Sequence, residues 1–343
     1  MAQARSTRRL RPRGNPSLLS VVIPCFNEEP MVPTLRQRVE QLQATLGVPL
    51  EIVLVDDGSA DGTLDLLLEW AAASPAVKVV GFSRNFGHQI AVTAGLDHAT
   101  GDAVVIMDAD LQDPPEVIVE MLARYRLGYD VVYGQREARA GESVFKRLSA
   151  WLFYRLMRAF VMKELPPDTG DFRLVSRPCL DALLRLRETH RFMRGLGTWV
   201  GFPQAAVRYA RAGRSAGETK YPLGRMLRFA MTAVLSFSPA PLRLSFLLGV
   251  LFTLGGLGYG SWALVRWCLG LHLPGGRTAT AVIVLVCLVG GALQLSLGMV
   301  GEYVARIFEE VKGRPLYLVS TRANCEPREG GHPGADARHG GGA

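Results

Sequence analysis

A short acidic motif, Asp-Ala-Asp-Leu-Gln-Asp (108–113), follows a run of four apolar residues (104–107). Asp108 and Asp110 stand directly after residues that suit a strand buried on both faces of a parallel sheet. Open α/β sheets bind ligands at the carboxyl ends of their strands. Carboxylates at that position suit Mg²⁺ or Mn²⁺, which also bind substrate phosphates. The motif therefore predicts a divalent ion shared with a diphosphate, although Asp110 and Asp113 could instead be solvated turn and cap residues.

Alternating strand and helix patterns must position this motif. Apolar strands are predicted at 18–24, 51–55, 77–82, 104–107 and 130–133. Helical patterns lie between and after them, at 31–46, 61–70, 89–98 and 114–127. Repeated βα units with short connections predict an α/β fold with a doubly wound, mostly parallel sheet.

Polar side chains follow four of the predicted strands: Asn27 with Glu28, Asp56 with Asp57, Arg84 with Asn85, and Asp108 with Asp110. Because parallel strands bring their carboxyl ends to one edge of the sheet, we expect these sets to line one cleft. The sequence has no glycine-rich phosphate loop, so a metal and arginines must neutralise the phosphates of a nucleotide. Asp57 could accept hydrogen bonds from a base or ribose, or it could be a turn residue before Gly58.

Composition limits the possible classes of protein. The chain has 343 residues, 48% of them hydrophobic, and a net charge of +8. Its mean hydropathy of +0.15 indicates membrane segments. The five cysteines have no short paired spacing, which argues against a disulfide framework or a zinc site and favours a reducing cytoplasm. No signal peptide is expected, and disordered ends are predicted at 1–17 and 324–343.

Two long apolar runs, Leu242–Leu269 and Thr278–Val300, could each cross a bilayer core of about 30 Å. The loop between them is short, so they predict a C-terminal two-helix transmembrane hairpin, although two core helices of a soluble protein are the alternative. Lysines and arginines flank the outer ends of the pair, which predicts a cytoplasmic catalytic domain and cytoplasmic termini at the inner or plasma membrane. The predicted domains are a catalytic domain, a juxtamembrane amphipathic segment, the hairpin and a cytoplasmic C-terminal segment, at 18–221, 222–241, 242–303 and 304–323.

Four motifs together resemble glycosyltransferase family 2, which has the GT-A fold: Ile-Pro-Cys-Phe-Asn-Glu (23–28), Val-Asp-Asp-Gly-Ser (55–59), Arg-Asn-Phe-Gly (84–87) and Met-Asp-Ala-Asp-Leu-Gln-Asp-Pro-Pro-Glu (107–116). More narrowly, the chain resembles the polyprenyl-phosphate glycosyltransferases, which include bactoprenol glucosyltransferases and dolichol-phosphate mannosyltransferases. The resemblance implies that Asp108, Asp110 and Gln112 bind the metal and the sugar nucleotide, and that Asp110 takes part in catalysis. It implies these donor-binding residues: Pro24, Asn27, Glu28, Asp57, Arg84, Asn85, Asp108 and Arg211.

The resemblance extends to Gly-Asp-Phe-Arg (170–173), where it implies that Asp171 faces the acceptor and is a candidate base. A lipid monophosphate, with a second pKa near about 6, is already largely dianionic at neutral pH and needs cations more than a base. Asp171 could therefore orient Arg173 or the sugar instead. Arg136 and Arg139 suit the acceptor phosphate because arginine fits phosphate oxygens in a bidentate manner, although either could be a surface residue.

Two further basic segments leave alternatives open. The loop at 209–221 resembles the family's loop ahead of the membrane region and could close over the diphosphate. In this loop Arg211 is predicted to bind the donor, and Arg214 and Lys220 are predicted to bind the acceptor phosphate. The alternative is a basic juxtamembrane segment held by lipid charge. Residues 143–162 form a basic amphipathic pattern that could lie on an anionic membrane or pack on the sheet.

The sequence thus predicts an inverting, metal-dependent hexosyltransferase. Its expected partners are a nucleoside diphosphate sugar (UDP-glucose or GDP-mannose), polyprenyl (undecaprenyl) phosphate and the membrane, with no nucleic acid, and the cofactor is Mg²⁺ or Mn²⁺. The two-span hairpin looks more like the bactoprenol glucosyl group, so glucose is favoured over mannose, and a homo-tetramer is expected by resemblance. A processive polysaccharide synthase is disfavoured because its Gln-x-x-Arg-Trp block is absent from the sequence. A non-catalytic, membrane-tethered scaffold that binds sugar nucleotides is the alternative from a different class.

Overall fold

The computed structural model of the protein describes residues 10–136, 169–189, 191, 193–210, 258, 261, 265, 268–269 and 275–325. The chain forms two compact units. One unit contains 1–226 together with 313–343, and the other contains 227–312.

Four parallel strands form the centre of the sheet, in the order β4-β1-β2-β3. They are β1 (Leu19–Cys25), β2 (Leu50–Asp56), β3 (Val77–Phe82) and β4 (Ala103–Ile106). The helices that follow them are α1 (Val32–Leu46), α2 (Thr63–Ala73), α3 (His88–His98) and α4 (Val117–Arg126). All residues of β1, β2 and β4 are buried, as continuous apolar runs predict for strands covered on both faces.

Three strands extend the sheet beyond β4, in the order β4-β6-β5-β7. They are β5 (Val131–Arg136), β6 (Thr169–Ser176) and β7 (Gln204–Tyr209). The strand β6, which the sequence did not predict, is antiparallel to both β4 and β5. Its register sets Arg173 opposite Ile106, so Asp171 comes opposite the position of Asp108, two residues beyond. An antiparallel strand therefore brings a residue from another part of the chain to the carboxyl end of β4.

The described part of the chain after β6 contains α5 (Arg177–Leu184), α6 (Met193–Trp199), α7 (Gly275–Val311) and β8 (Val319–Ala323). The strand β8 pairs antiparallel with β3 at the edge of the sheet. Tyr317, just before β8, is buried, stacks on Phe82 with ring centroids 5.1 Å apart and donates a hydrogen bond to Asp97 (2.9 Å). The C-terminal segment thus completes the sheet. Among the described strands only β6 and β8 oppose the rest, which confirms the α/β class and the mostly parallel sheet.

Several sequence predictions concern segments that lie partly or wholly outside the described residues. No helix within the described ranges combines the length and apolar character needed to cross a membrane. The predicted second span lies within α7. The first predicted span lies almost entirely outside the described residues, and so do the amphipathic pattern at 143–162, the loop from 211 to 221 and the juxtamembrane segment 222–241. These remain predictions.

Candidate active site

The acidic motif forms the turn that leaves β4. Asp110 accepts a hydrogen bond from the backbone N–H of Gln112 (3.1 Å), and Gln112 is buried. Between them, Leu111 has a φ of 53°, in the left-handed region that residues with a branched side chain rarely adopt. Backbone strain of this kind is concentrated at functional sites, where the surrounding structure maintains it. The turn therefore holds Asp108 and Asp110 at the edge of the sheet where a ligand is expected.

Asp108 has the electrostatics of a cation ligand. Its Oδ1 atom is buried and accepts no hydrogen bond from the described residues, and the nearest basic nitrogen, Nε2 of His88, is 3.6 Å away. Burial, reinforced by the negative charges of Asp171, Asp113 and Asp110, raises the pKa of Asp108 to about 6. A buried carboxylate whose negative charge is only partly compensated is stabilised by a bound cation.

The donor set fits a hard divalent cation that is shared with substrate. Within the described ranges, no three His, Cys, Asp or Glu side chains are grouped so that they could hold a metal ion by themselves. Mg²⁺, however, is commonly bound by one or two carboxylates while substrate phosphates and water complete its shell. Asp108 and Asp110, with the amide of Gln112, supply oxygen ligands of that kind, and a diphosphate would supply the rest.

Asp57, predicted to contact a base or ribose, holds the loop that begins α3. Its carboxylate accepts hydrogen bonds from the backbone N–H groups of Phe86 (2.7 Å) and Gly87 (3.0 and 3.1 Å). Burial raises the pKa of Asp57, and these two amides act in the opposite direction. Each carboxylate oxygen has two lone pairs, so a ribose or base hydrogen bond stays compatible with this arrangement. In the same loop Arg84 lies over the ring of Phe86 at 4.0 Å and donates to the carbonyl of Asn85 (3.0 Å).

The loop after β1 is joined to the loop after β2. Asn27 has a φ of 54°; its side-chain oxygen accepts from the N–H of Ala60 (2.8 Å), and its own N–H donates to Ser59 (3.0 Å). The N–H of Glu28 donates to the hydroxyl of Thr63 (2.9 Å). Pro24, also predicted at the donor site, is buried within β1. Five of the predicted donor residues thus lie on connected loops after β1, β2 and β3: Asn27, Glu28, Asp57, Arg84 and Asn85.

Asp171 lies on β6 and is surrounded by donors from other elements. It accepts from Arg194 Nε (2.9 Å) and from Gln89 Nε2 (3.0 Å), and Nε2 of His88 lies 3.5 Å away. Burial works to raise the pKa of Asp171, but Arg194 and His88 hold it well below its usual range. The proposed partner Arg173 instead donates to the backbone carbonyls of Gly170 (3.1 Å) and Met193 (3.4 Å). A carboxylate with such a low pKa is a weak base.

Three residues that contact Asp171 were not predicted from the sequence: His88, Gln89 and Arg194. His88 and Gln89 begin α3, after the predicted polar cluster of Arg84 and Asn85, so their position near a strand end was a usable signal. Arg194 had no such signal, because its approach to Asp171 depends on β6 lying beside β4.

Arg136, predicted to bind the acceptor phosphate, lies in a buried polar cluster. Its Nη2 is 3.4 Å from both carboxylate oxygens of Asp113, and its Nε donates to the hydroxyl of Tyr209 (3.3 Å). The Tyr209 hydroxyl in turn donates to Asp113. Asp113 is only 1% exposed, so the alternative of a solvated cap residue is wrong for it. The other predicted phosphate-binding or loop residues lie outside the described residues: Arg139, Arg211, Arg214 and Lys220.

Comparisons with known proteins identify the family and the relatives of this chain. Residues 20–184 match the family model described as "Glycosyl transferase family 2". The chain is 45% identical to the uncharacterized glycosyltransferase YkcC of Bacillus subtilis, over 90% of this chain and 94% of that protein. It is 36% identical to the bactoprenol glucosyl transferase of Shigella phage SfII, over 90% of this chain and 99% of that protein. A solved structure of glucosyl-3-phosphoglycerate synthase from Mycobacterium tuberculosis is 23% identical, with a TM-score of 0.46, and covers 64% of this chain and 79% of that one.

Proposed function

Because this chain belongs to glycosyltransferase family 2 and is a glycosyltransferase with a GT-A type fold, we propose that it transfers glucose from UDP-glucose to a polyprenyl phosphate, with inversion at the sugar. The observation that carries the proposal is the 36% identity to a bactoprenol glucosyl transferase over 90% of the chain. That similarity continues far beyond residue 184, where the family match ends, and so includes the C-terminal region. GDP-mannose is the alternative donor.

The donor half of the site lies over β1, β2 and β3. Asp57 fixes the loop that carries Arg84, and the nucleotide would lie along these loops. Asp108, Asp110 and Gln112 would hold Mg²⁺ or Mn²⁺ beside the diphosphate. When bound, such an ion supplies positive charge that stabilises the leaving diphosphate.

The acceptor half lies beyond β4. The nucleophile is an oxygen of the polyprenyl phosphate, which at neutral pH is largely a dianion. This oxygen forms a bond to the anomeric carbon while the bond from that carbon to the diphosphate oxygen breaks, so attack from the opposite face inverts the configuration. No proton has to be removed from the dianion. Asp171, held as a carboxylate by Arg194 and His88, is therefore assigned to positioning.

We further propose that the chain is anchored in the inner or plasma membrane by a hairpin of two spans, with the catalytic domain and both termini in the cytoplasm. The apolar runs 242–269 and 278–300 support the two spans. The strands β7 and β8, which come before and after the unit 227–312 in the chain, belong to the same sheet, at its two edges. Since a folded domain lies on one side of a membrane, the number of crossings between these strands is even. A pair of spans satisfies this condition, and a single span does not.

The proposal is tested with detergent-purified protein, undecaprenyl phosphate, Mg²⁺ or Mn²⁺, and radiolabelled UDP-glucose or GDP-mannose in separate reactions. We expect label from UDP-glucose to enter the organic phase, and EDTA and Asp110→Ala to abolish the transfer. Glu40→Ala, which removes an exposed carboxylate on α1, is the matched control and should keep activity. Lipid product from GDP-mannose alone would correct the sugar, whereas no lipid product from either donor would overturn the acceptor assignment.

A further inference from the structure

Both carboxylate oxygens of Asp171 accept hydrogen bonds from neighbouring side chains, which leaves Asp171 poorly suited to take a proton from substrate. Its side chain is 9% exposed, and Arg194 bonds one of its oxygens while Gln89 bonds the other. His88 approaches that second oxygen at 3.5 Å. A general base needs an accessible lone pair directed at the nucleophile. The arrangement instead makes Asp171 the anchor for two basic side chains at the edge of the cleft.

The backbone that carries Arg194 is held from both sides. Gln89 uses both ends of its amide: Nε2 donates to Asp171 (3.0 Å), and Oε1 accepts from the N–H of Met193 (3.1 Å). The buried guanidinium of Arg173 donates to the carbonyl of the same Met193 (3.4 Å). Gly197 lets α6 approach this guanidinium closely, since a Cβ there would come 2.8 Å from Arg173 Nη1. These contacts fix the position of the backbone that carries Arg194. An arginine with only a surface role would not need such support.

Arg194 combines a buried anchor with an accessible guanidinium. Its side chain is 30% exposed, although its carboxylate partner is almost buried. It lies on the β6 side of β4, whereas the loops expected to bind the nucleotide follow β1, β2 and β3 on the other side. The donor diphosphate is expected to be neutralised beside Asp108. A second phosphate that enters from the β6 side would meet Arg194.

Resting on the proposed function, we propose that Arg194 binds the phosphate of the lipid acceptor, and that Asp171 and Gln89 position its guanidinium for this contact. Arginine suits the role because its planar guanidinium carries five N–H donors. Nε of Arg194 donates to one Asp171 oxygen (2.9 Å) and Nη2 lies 3.5 Å from the other, and the remaining N–H groups can point toward phosphate oxygens. Asp171 is then a positioning residue, and its low proton affinity keeps the pair intact while the phosphate attacks.

The test compares Arg194→Gln with Arg13→Gln in the purified full-length enzyme. Arg13 forms a similar pair with Asp130 at 2.8 Å, with side chains 26% and 13% exposed, and it has no place in the site. We expect Arg194→Gln to raise the KM for undecaprenyl phosphate about 10- to 100-fold, the range for a hydrogen bond to a charged group. The KM for UDP-glucose should stay unchanged. Arg13→Gln should alter thermal stability without altering either KM.

Two more variants separate binding from structure. Arg194→Lys keeps the charge without the fork, so it should fold like the wild type and show an intermediate KM for the acceptor. In the double variant Asp171→Asn/Arg194→Gln, the loss should be smaller than the product of the two single losses, because one side chain acts through the other. Multiplicative losses would indicate a separate role for Asp171, such as that of a base, and would overturn its assignment as a positioning residue.

The inference fails in ways that differ from a failure of the proposed function. If the wild type forms lipid product and Arg194→Gln leaves the acceptor KM unchanged, Arg194 is structural and the inference is wrong. If the KM for UDP-glucose rises and that for the acceptor does not, Arg194 binds the donor and the inference is also wrong. Absence of lipid product from the wild type would instead contradict the proposed function itself.

Discussion

Replacing Gly58 with alanine should disturb the donor half of the site much more than it disturbs the fold. Gly58 has a φ of 69°, a left-handed conformation that costs a residue with a side chain about 1–2 kcal/mol. An added Cβ would also lie 2.6 Å from the backbone N of Asn85 and closer still to the carbonyl carbon of Arg84. Because these are backbone atoms and ordinary contacts are about 3.5–4 Å, the loop would have to move by about 1 Å.

Gly47→Ala provides a matched control for the conformational strain alone. Gly47 caps α1 with a φ of 62°, and a Cβ there would meet nothing within 4 Å. The strain alone should therefore cost each variant about 1–2 kcal/mol of stability. Only Gly58→Ala adds the displacement of the loop that Asp57 holds through Phe86 and Gly87.

The assay is the steady-state kinetics of lipid-linked sugar formation at varied UDP-glucose, together with thermal unfolding of each variant. A displacement of about 1 Å near reacting groups can reduce rates up to about 100-fold. We expect kcat/KM for the donor to fall about 10- to 100-fold in Gly58→Ala and to stay at the wild-type value in Gly47→Ala. Equal donor kinetics in the two variants would refute the placement of the nucleotide beside this loop.

Two further predictions concern stability. Tyr317→Phe removes the hydrogen bond to Asp97 (2.9 Å) and should lower the free energy of unfolding by about 2 kcal/mol, seen as a lower thermal midpoint; an unchanged midpoint would contradict the role given to the C-terminal segment. Glu51 is buried and paired with Lys78, and although burial works to raise its pKa, Lys78, Ser20 and Thr100 hold the pKa below its usual value. The contribution of ionised Glu51 to the free energy of unfolding is therefore complete above its unfolded pKa of about 4.3 and is lost as the pH falls through the folded pKa. Glu51→Gln should cost about 3 kcal/mol at pH 7 and progressively less below pH 4, which unfolding midpoints at both pH values would show; a deficit that does not depend on pH would contradict this account.

The central sheet could be predicted from the sequence because its signals are local. Largely apolar runs mark β1 to β4, and each run is followed by polar residues that the parallel order brings to one edge. Asp57, Asp108 and Asp110 were found in this way, since their position relative to a strand end is visible in the sequence. The resemblance to a family added the role of Asp171, whose short motif carries no strand-end signal of that kind.

The rest of the site depends on pairings between distant parts of the chain. The position of β6 between β4 and β5 is not encoded in its own sequence, because Thr-Gly-Asp-Phe-Arg-Leu-Val-Ser does not indicate which strands it pairs with or in which direction. Arg194 and Asp113 illustrate the consequence. Arg194 reaches Asp171 because α6 lies beside β6, and Asp113 is buried where the hydroxyl of Tyr209 on β7 donates to it.

The helix α3 connects the Asp171 side of the site to the C-terminal segment. Its first residues, His88 and Gln89, contact the acceptor-side carboxylate, and Asp97 near its end bonds Tyr317 from the segment after α7. Asp97 follows Gln89 by eight residues, which places the two contacts only about 12 Å apart along the helix. A rigid helix transmits a shift of one end to the other, so the C-terminal segment does more than close the edge of the sheet. By fixing Asp97 it also fixes the direction in which α3 presents Gln89, and with it the pair of Asp171 and Arg194 on which the proposed acceptor binding depends.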